Sequence, residues 1–404
     1  MIMLDPSLYF DHSATTPPRS EVIQRMQEVM QTHWGNPSSL HGWGEQAATV
    51  LEIARQSVAQ LLGCEPESII FTSGGTESNN LALLGIALQY EHPQHLVISS
   101  IEHSSVENVA RHLASQGWQI SRLPVSREGL IDVGDLQKAL RPNTAMVSIL
   151  YGQNEIGSLQ PIAQLAACCR AAGIPFHCDA VQVAGRIPLA MQELPVDLLS
   201  LSGHKLYGPQ GVGSLYVRPG LRLLPILRGG GQENGIRSGT QPLPAIAGLG
   251  VAADWASQEV DGETMRLRGL QAQLRQALAD CPALIPTGPL DGKHRLPHHL
   301  SYCVDGLSGT AIVQAMNRLG IGISAGSACN RGKLIPSRVL LAMGFSPEQA
   351  LGSIRLSIGR TTTPEAVAQV AQALRQVIAQ LLRDPPSPLG GDRVFSLLPA
   401  DLRV

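Results

Sequence analysis

A lysine, an aspartate and a histidine stand in this chain directly after short apolar runs, where packing alone does not call for them. Lys205 lies in Ser202-Gly203-His204-Lys205-Leu206-Tyr207-Gly208, after Leu198 to Leu201. Asp179 lies in His177-Cys178-Asp179-Ala180-Val181-Gln182, after Ile174-Pro175-Phe176, and His103 follows Leu96-Val97-Ile98 in SSIEHSS. A fourth run, Ile69-Ile70-Phe71, leads into TSGGTESNN, with Gly74-Gly75-Thr76 opening a helix-like stretch. Each has an ordinary alternative: Asp179 a cap, Lys205 a solvated side chain, Thr76 a helix cap with Gly74-Gly75 as its turn, and His177 with Asp179 a metal pair short of a third ligand. Together they are the parts that pyridoxal phosphate requires. An amine forms the Schiff base, a carboxylate keeps the pyridine nitrogen protonated, and unpaired N–H groups at a helix start hold the phosphate.

The stretch SAGSACNRG, residues 324 to 332, carries a different chemistry. Its residues are too small and polar to pack a core, so Cys329 reads as a thiol free to reach outward, with Arg331 and Lys333 nearby to favour the thiolate. Gly326 to Lys333 resembles a phosphate loop only loosely. Five residues rather than four separate Gly326 from Gly332, and Leu334 stands where Ser or Thr should bind metal. No GxGxxG follows a strand, since Gly229-Gly230-Gly231 runs into Gln232-Glu233-Asn234. The other cysteines, Cys64, Cys168, Cys169, Cys178, Cys281 and Cys303, form no CxxC pair, and free thiols are expected.

The elements that must position these groups follow from the pattern of the runs. Between residues 45 and 218, apolar runs alternate with helical stretches such as SSVENVARHLASQG, which implies a mainly parallel sheet covered on both faces, with ligands at the carboxyl ends of its strands. From Gln241 to about Leu278 the pattern is long and helical. HHLSYCVDG then opens a smaller set of elements, and Thr363-Pro364-Glu365 starts a helix with Val367, Val370, Leu374, Val377 and Leu381 on one face. Pro385 to Gly391 breaks that helix. The 404 residues carry 30 Lys and Arg against 32 Asp and Glu, a balance that recommends neither nucleic acid nor an anionic membrane as a partner. The N-terminal stretch lacks the pattern of a signal peptide and no run approaches a membrane span, so a cytoplasmic location is expected.

The chain resembles the cysteine desulfurases, fold-type I, class V pyridoxal-phosphate enzymes similar to NifS and IscS. DHSATTP (11 to 17), GNPSSLH (35 to 41), FTSGGTESNN (71 to 80), EHSS (102 to 105), QNEIG (153 to 157), HCDAVQ (177 to 182), SGHKLYGPQGVG (202 to 213), GGGQENGIRSGT (229 to 240), SAGSAC (324 to 329) and SIRLSIGRTT (353 to 362) carry the resemblance, in the family's order. It implies an α/β large domain, residues 15 to 260, with a mainly parallel seven-stranded sheet flanked by helices. Residues 1 to 14 and 261 to 404 would form a smaller α+β domain with a mobile cysteine loop at about 324 to 335 and a C-terminal tail.

The resemblance also implies roles. Lys205 would hold the cofactor covalently, Asp179 would pair with the pyridine nitrogen, and His103 would stack on the ring and move protons. Asn154 and Gln182 would lie near the ring oxygen. Gly75, Thr76, Ser202 and His204 would hold the phosphate, with Thr240 reaching the phosphate of a neighbouring subunit in a homodimer. Asn36 and Arg355 would bind the carboxylate of L-cysteine, and Cys329 would take the sulfur as a persulfide and leave L-alanine. No metal is implied in the free enzyme beyond Cys329 as a transient iron–sulfur ligand, and an iron–sulfur scaffold or a sulfur-relay protein would be the acceptor. Gly152-Gln153 replaces the family's common Val-Asn, and the tail after Gly391 departs from the segment that scaffolds use in the IscS branch.

Overall fold

A computed structural model describes residues 4–326 and 335–384; Cys329 with its neighbours and the tail from residue 385 lie outside the described residues. Two helices, α1 (Ser20–Thr32) and α2 (Gly42–Leu62), precede an alternation of strand and helix: β1 (Ile69–Thr72), α3 (Gly75–Ala87), β2 (His95–Ser99), α4 (Ser104–Ser115), β3 (Gln119–Leu123), α5 (Val133–Ala139), β4 (Thr144–Leu150), α6 (Ile162–Ala171), β5 (Phe176–Asp179), β6 (Leu198–Ser202) and β7 (Gly213–Val217). The strands form one sheet in the order β1-β7-β6-β5-β4-β2-β3. All run parallel except β7, which is antiparallel to both neighbours. The apolar runs named above are buried except at Pro175, as a sheet covered on both faces requires. Two details differ from the sequence reading. Strand β5 begins at Phe176, because Pro175 has no N–H to donate to the ladder, and the edge strand β3 gave no apolar signal because its QISRL is partly exposed.

The rest of the chain builds a second, antiparallel sheet. Helix α7 (Leu243–Leu278) leads to β8 (Leu284–Pro286), β9 (His299–Val304), α8 (Gly309–Arg318), β10 (Ser324–Ala325), α9 (Arg338–Ala342), α10 (Pro347–Leu351), β11 (Ser353–Ser357) and α11 (Pro364–Arg383), with strand order β10-β11-β9-β8. Val367, Val370, Leu374, Val377 and Leu381 of α11 are all buried against this sheet, and Thr363 caps the helix by accepting the N–H of Ala366.

Helix α7 serves both cores. Leu243 to Ala253 pack into the core of the large sheet, and Leu267, Leu270, Leu274 and Leu278 into that of the small one. Close approach to α2 requires Gly250, where a Cβ would stand 2.8 Å from the Cα of Ala54. A second link is the segment before α1. Phe10 is buried in the small core, Tyr9 and Asp11 bridge to Gly322 and Ser357, and Thr16 donates its N–H to the carbonyl of His204 beside Lys205.

Candidate active site

The carboxyl ends of the parallel strands open on a cavity of about 600 Å³. Gly75 and Thr76 enter it from α3, His103 from the β2–α4 turn, Asn154 from beyond β4, Asp179 and Gln182 from the end of β5, Ser202, His204 and Lys205 from β6, and Arg355 from β11. These residues span 280 positions of sequence and meet because each follows or lies on a strand pointing to the same edge. Asn36 and Thr240 do not join them. Both are exposed, Asn36 in a turn where its Oδ1 accepts the N–H of Ser38.

Lys205 projects from a strained turn. Its Nζ donates to the carbonyls of Ser13 and Ala14, each at 2.6 Å, and Gln182 Nε2 donates to the same Ser13 oxygen at 3.0 Å. Two residues on, Tyr207 has φ 63°, a left-handed conformation uncommon for a bulky residue and costing about 1–3 kcal/mol. It is held there by Thr16 Oγ1, which accepts its N–H, and by Arg186, which donates to its hydroxyl and to the carbonyl of Lys205. Burial, and then the positive charge of Arg355, bring the Lys205 pKa down to about 8, so a useful fraction of the amine is neutral and nucleophilic near neutrality.

A chain of hydrogen bonds connects His103 to Asp179. His103 Nδ1 accepts the N–H of Ser105 at 3.2 Å, so the neutral ring carries its proton on Nε2. The Ser105 hydroxyl therefore gives its own hydrogen to Nδ1 at 2.7 Å and accepts from Asn79 Nδ2 at 2.8 Å, and that amide also donates to Asp179 Oδ2 at 2.7 Å. Burial holds the His103 pKa below the ordinary value, with Lys205 and Arg338 adding to it against Asp179. Asp179 Oδ1 accepts the N–H of Val181, so the carboxylate is fixed at both oxygens. Asn79 and Ser105 escaped the sequence reading. Their signal was position, since Asn79 falls one turn after Thr76 on α3 and so looks toward the same strand ends. His177, by contrast, is satisfied inside the sheet by Ser148 and Ser200 and takes no part in a metal pair with Asp179.

The phosphate end is built by α3. Gly74, at φ 148°, is the N-cap, and no side chain caps the helix, so Thr76 does not serve as the cap and the first N–H groups stay available for an anion. A Cβ on Gly75 would come within 2.6 Å of Val181 Cγ2, which shows how closely the helix start seats against the strand ends. Ser202 and His204 flank it. The His204 ring, bonded to Thr15 Oγ1, is kept neutral by burial and by Lys205, with a pKa of about 4.

At the opposite end Arg355 is buried, with Nη2 donating to Asp11 Oδ1 at 2.7 Å and Nη1 to the carbonyl of Asn154 at 3.0 Å. Its Nε–H, fully buried, has no partner among the described residues, a donor left for an incoming acceptor. Asp11, unremarked in the sequence, also accepts from Ser324 Oγ, at the head of the segment that carries Cys329.

A lysine and an aspartate at neighbouring strand ends, a histidine beside them and an uncapped helix start define a pyridoxal-phosphate transferase of fold type I. The residues present fit that group: the unoccupied N–H donors of α3 match its phosphate, the doubly fixed Asp179 its ring nitrogen, and the Lys205 amine its aldehyde. Over residues 8–370 the chain matches the aminotransferase class-V family, and it belongs to that family. It is 40% identical over 376 residues to the cysteine desulfurase IscS of Dictyoglomus turgidum, covering 93% of this chain and 95% of that one. Among solved structures it is similar to a NifS-like protein, with TM-score 0.86 and 33% identity over 92% of this chain and 99% of that one. It is also similar to SspA solved in complex with cysteine, with TM-score 0.78 and 34% identity over 88% and 99% of the two chains.

Proposed function

We propose that the protein is a cysteine desulfurase, which takes sulfur from L-cysteine, leaves L-alanine and holds the sulfur as a persulfide on Cys329. The observation that carries this reading is a shared cavity in which Lys205, Asp179, His103 and the start of α3 face Arg355, an arginine with a buried donor that has no partner among the described residues. When bound, pyridoxal phosphate supplies an electron sink that labilises bonds at the substrate's α-carbon and activates its β-substituent. The chain does the rest. Thr76, Ser202 and His204 would hold the phosphate, Asp179, fixed by hydrogen bonds from Asn79 and Val181, would hold the ring nitrogen, and His103 presents its Nε2 proton to the cavity. Arg355 fixes the substrate carboxylate, and the amine of Lys205 receives and returns protons at the α-carbon.

A homodimer accounts for the two residues outside the cavity. Ile23, Met30, Trp34, Leu40, Trp43 and Ile53, all from one stretch of sequence across α1 and α2, are each at least half exposed, an apolar surface a monomer rarely keeps. In a dimer closed on that surface, Thr240 reaches the phosphate of the partner subunit and Asn36 the substrate carboxylate. The sulfur acceptor is an iron–sulfur scaffold or a sulfur-relay protein. None of the helices among the described residues is long and apolar enough to cross a membrane.

The test gives L-cysteine to the purified protein with and without reductant and quantifies alanine and sulfide for the wild type beside Cys329→Ser. Matched alanine and sulfide from the wild type, and neither from the variant, is the expected result. Sulfide with pyruvate and ammonia from the variant would make the protein a lyase.

A further inference from the structure

We infer that Glu155 is a further catalytic residue of this site, the carboxyl that carries a proton from sulfur to the β-carbon of the substrate. The inference rests on the desulfurase reading, whose proton inventory requires such a carrier. L-Cysteine and the acceptor thiol bring two S–H bonds. The Cβ–S bond breaks with its electron pair staying on carbon, an S–S bond forms, and one sulfur-borne proton must end on Cβ to complete the methyl group of alanine, while the persulfide keeps the other. Carbon is reduced as the sulfur pair is oxidised, so no outside oxidant or reductant enters.

Geometry places Glu155 in the cavity lining within the field of Arg355, the residue assigned to the substrate carboxylate. Its backbone is locked, because its N–H and that of Ile156 both donate to Oε1 of the fully buried Gln153, whose amide in turn reaches the carbonyl of Ile101. The side chain is thereby directed into the cavity, where Oε2 accepts from the buried Ser337 at 2.6 Å. The same oxygen lies 3.7 Å from where a Cβ of Gly326 would stand, one residue beyond β10, whose Ser324 is the register partner of Arg355. A substrate held by its carboxylate on Arg355 presents its side chain to this corner.

The charges around Glu155 suit the task. Arg355 from β11 and Arg338 from α9 face it, Glu102 and His103 line the cavity from the β2–α4 turn, and Lys205 and Asp179 line it from the ends of β6 and β5. Burial pushes its pKa up to about 7, against the hydrogen bond from Ser337 and the pull of the two arginines. The other candidates are less suited, since His103 titrates below its ordinary value and Lys205 already serves the α-carbon. General acid–base groups contribute about 10²–10⁴-fold, most effectively with a pKa near the working pH.

Glu155→Gln keeps the shape and can still accept from Ser337, but cannot carry a proton. It is expected to lower kcat about 100-fold, leaving the KM for cysteine within about threefold of wild type and the cofactor absorption band in place. The logarithm of kcat against pH should show a limb near pH 7 in the wild type and in Glu155→Asp, and none in Glu155→Gln. A Gln variant that keeps the wild-type rate or that limb overturns the inference alone. A wild type that forms no alanine from cysteine overturns the desulfurase reading and the inference with it.

Discussion

Asn79 gives both hydrogens of its amide to charged or catalytic neighbours from a site that is 1% exposed. Asn79→Ala removes a donor from Asp179 and a partner from the Ser105–His103 pair, and lost buried hydrogen bonds to charged groups cost about 1.5–3 kcal/mol. Cofactor affinity is expected to fall at least about tenfold, with a displaced absorption maximum, in a titration of the apoprotein with pyridoxal phosphate. Wild-type affinity and spectrum would remove Asn79 from the network. Lys205→Ala should lose the Schiff-base absorption band, and a variant that keeps it would overturn the lysine assignment. Arg355→Lys should raise the cysteine KM about 10- to 100-fold, because a lysine cannot reproduce the fork, while leaving cofactor affinity nearly intact. An unchanged KM would place the substrate carboxylate elsewhere.

Glu233 shows how much of the site rests on elements away from it. Its carboxylate is fully buried, accepts from Arg55 at 2.9 and 3.0 Å, from the N–H of Phe71 on β1 and from Gln241, and so ties α2, β1 and the GGGQENG loop together. Glu233→Ala leaves the mostly buried Arg55 guanidinium with only the half-exposed Glu52 and the carbonyl of Ile69, and breaking a buried pair costs about 3–5 kcal/mol. A fall in Tm of several degrees by calorimetry is the expected outcome, and an unchanged Tm would show that the Arg55 charge finds water. The parallel sheet was legible in the sequence because buried strands are continuous apolar runs, and Lys205, Asp179 and His103 were legible because chemistry follows those runs. The roles of Asn79, Asp11, Ser105 and Glu155, all inside the motifs quoted for the resemblance, were not, because each depends on which face of a helix or turn meets a partner up to 344 residues away, and a local pattern holds no such information. Asn36 and Thr240 were named from the resemblance, and a single chain does not bring them to the cavity.

Across the whole molecule, buried histidines set the response to acid. Burial lowers the pKa of His12 and His177 to about 3 and of His95 to about 4, and holds His298 and His299 well below the ordinary value. Each stays neutral when folded but binds a proton below about pH 6.5 when unfolded, so its contribution to stability is present above that pH and is lost as the pH falls toward the folded value. Glu102 and Glu155, raised by burial to about 8 and 7, act in the opposite sense, losing stability as the pH rises from about 4.5 through those values. Among the described residues these five histidines, joined by His103 and His204, whose pKa values burial also lowers, outweigh the two acids and leave a net loss on acidification. The urea midpoint should therefore be lower at pH 5 than at pH 7.5, and equal midpoints would contradict this account.

The cradle of Lys205 is made by Ser13 and Ala14, and Ser13 is anchored by Ser357, 344 residues later in the chain. A ribosome adding about 5–20 residues per second exposes that anchor roughly 17–70 s after Ser13 has left the exit tunnel. Until then the cradle lacks that anchor and Arg355 has not emerged. A nascent chain thus holds the start of α3, the first part of its phosphate site, long before it holds a reactive centre, and the order of translation itself delays the chemistry until Arg355 and Ser357 have emerged.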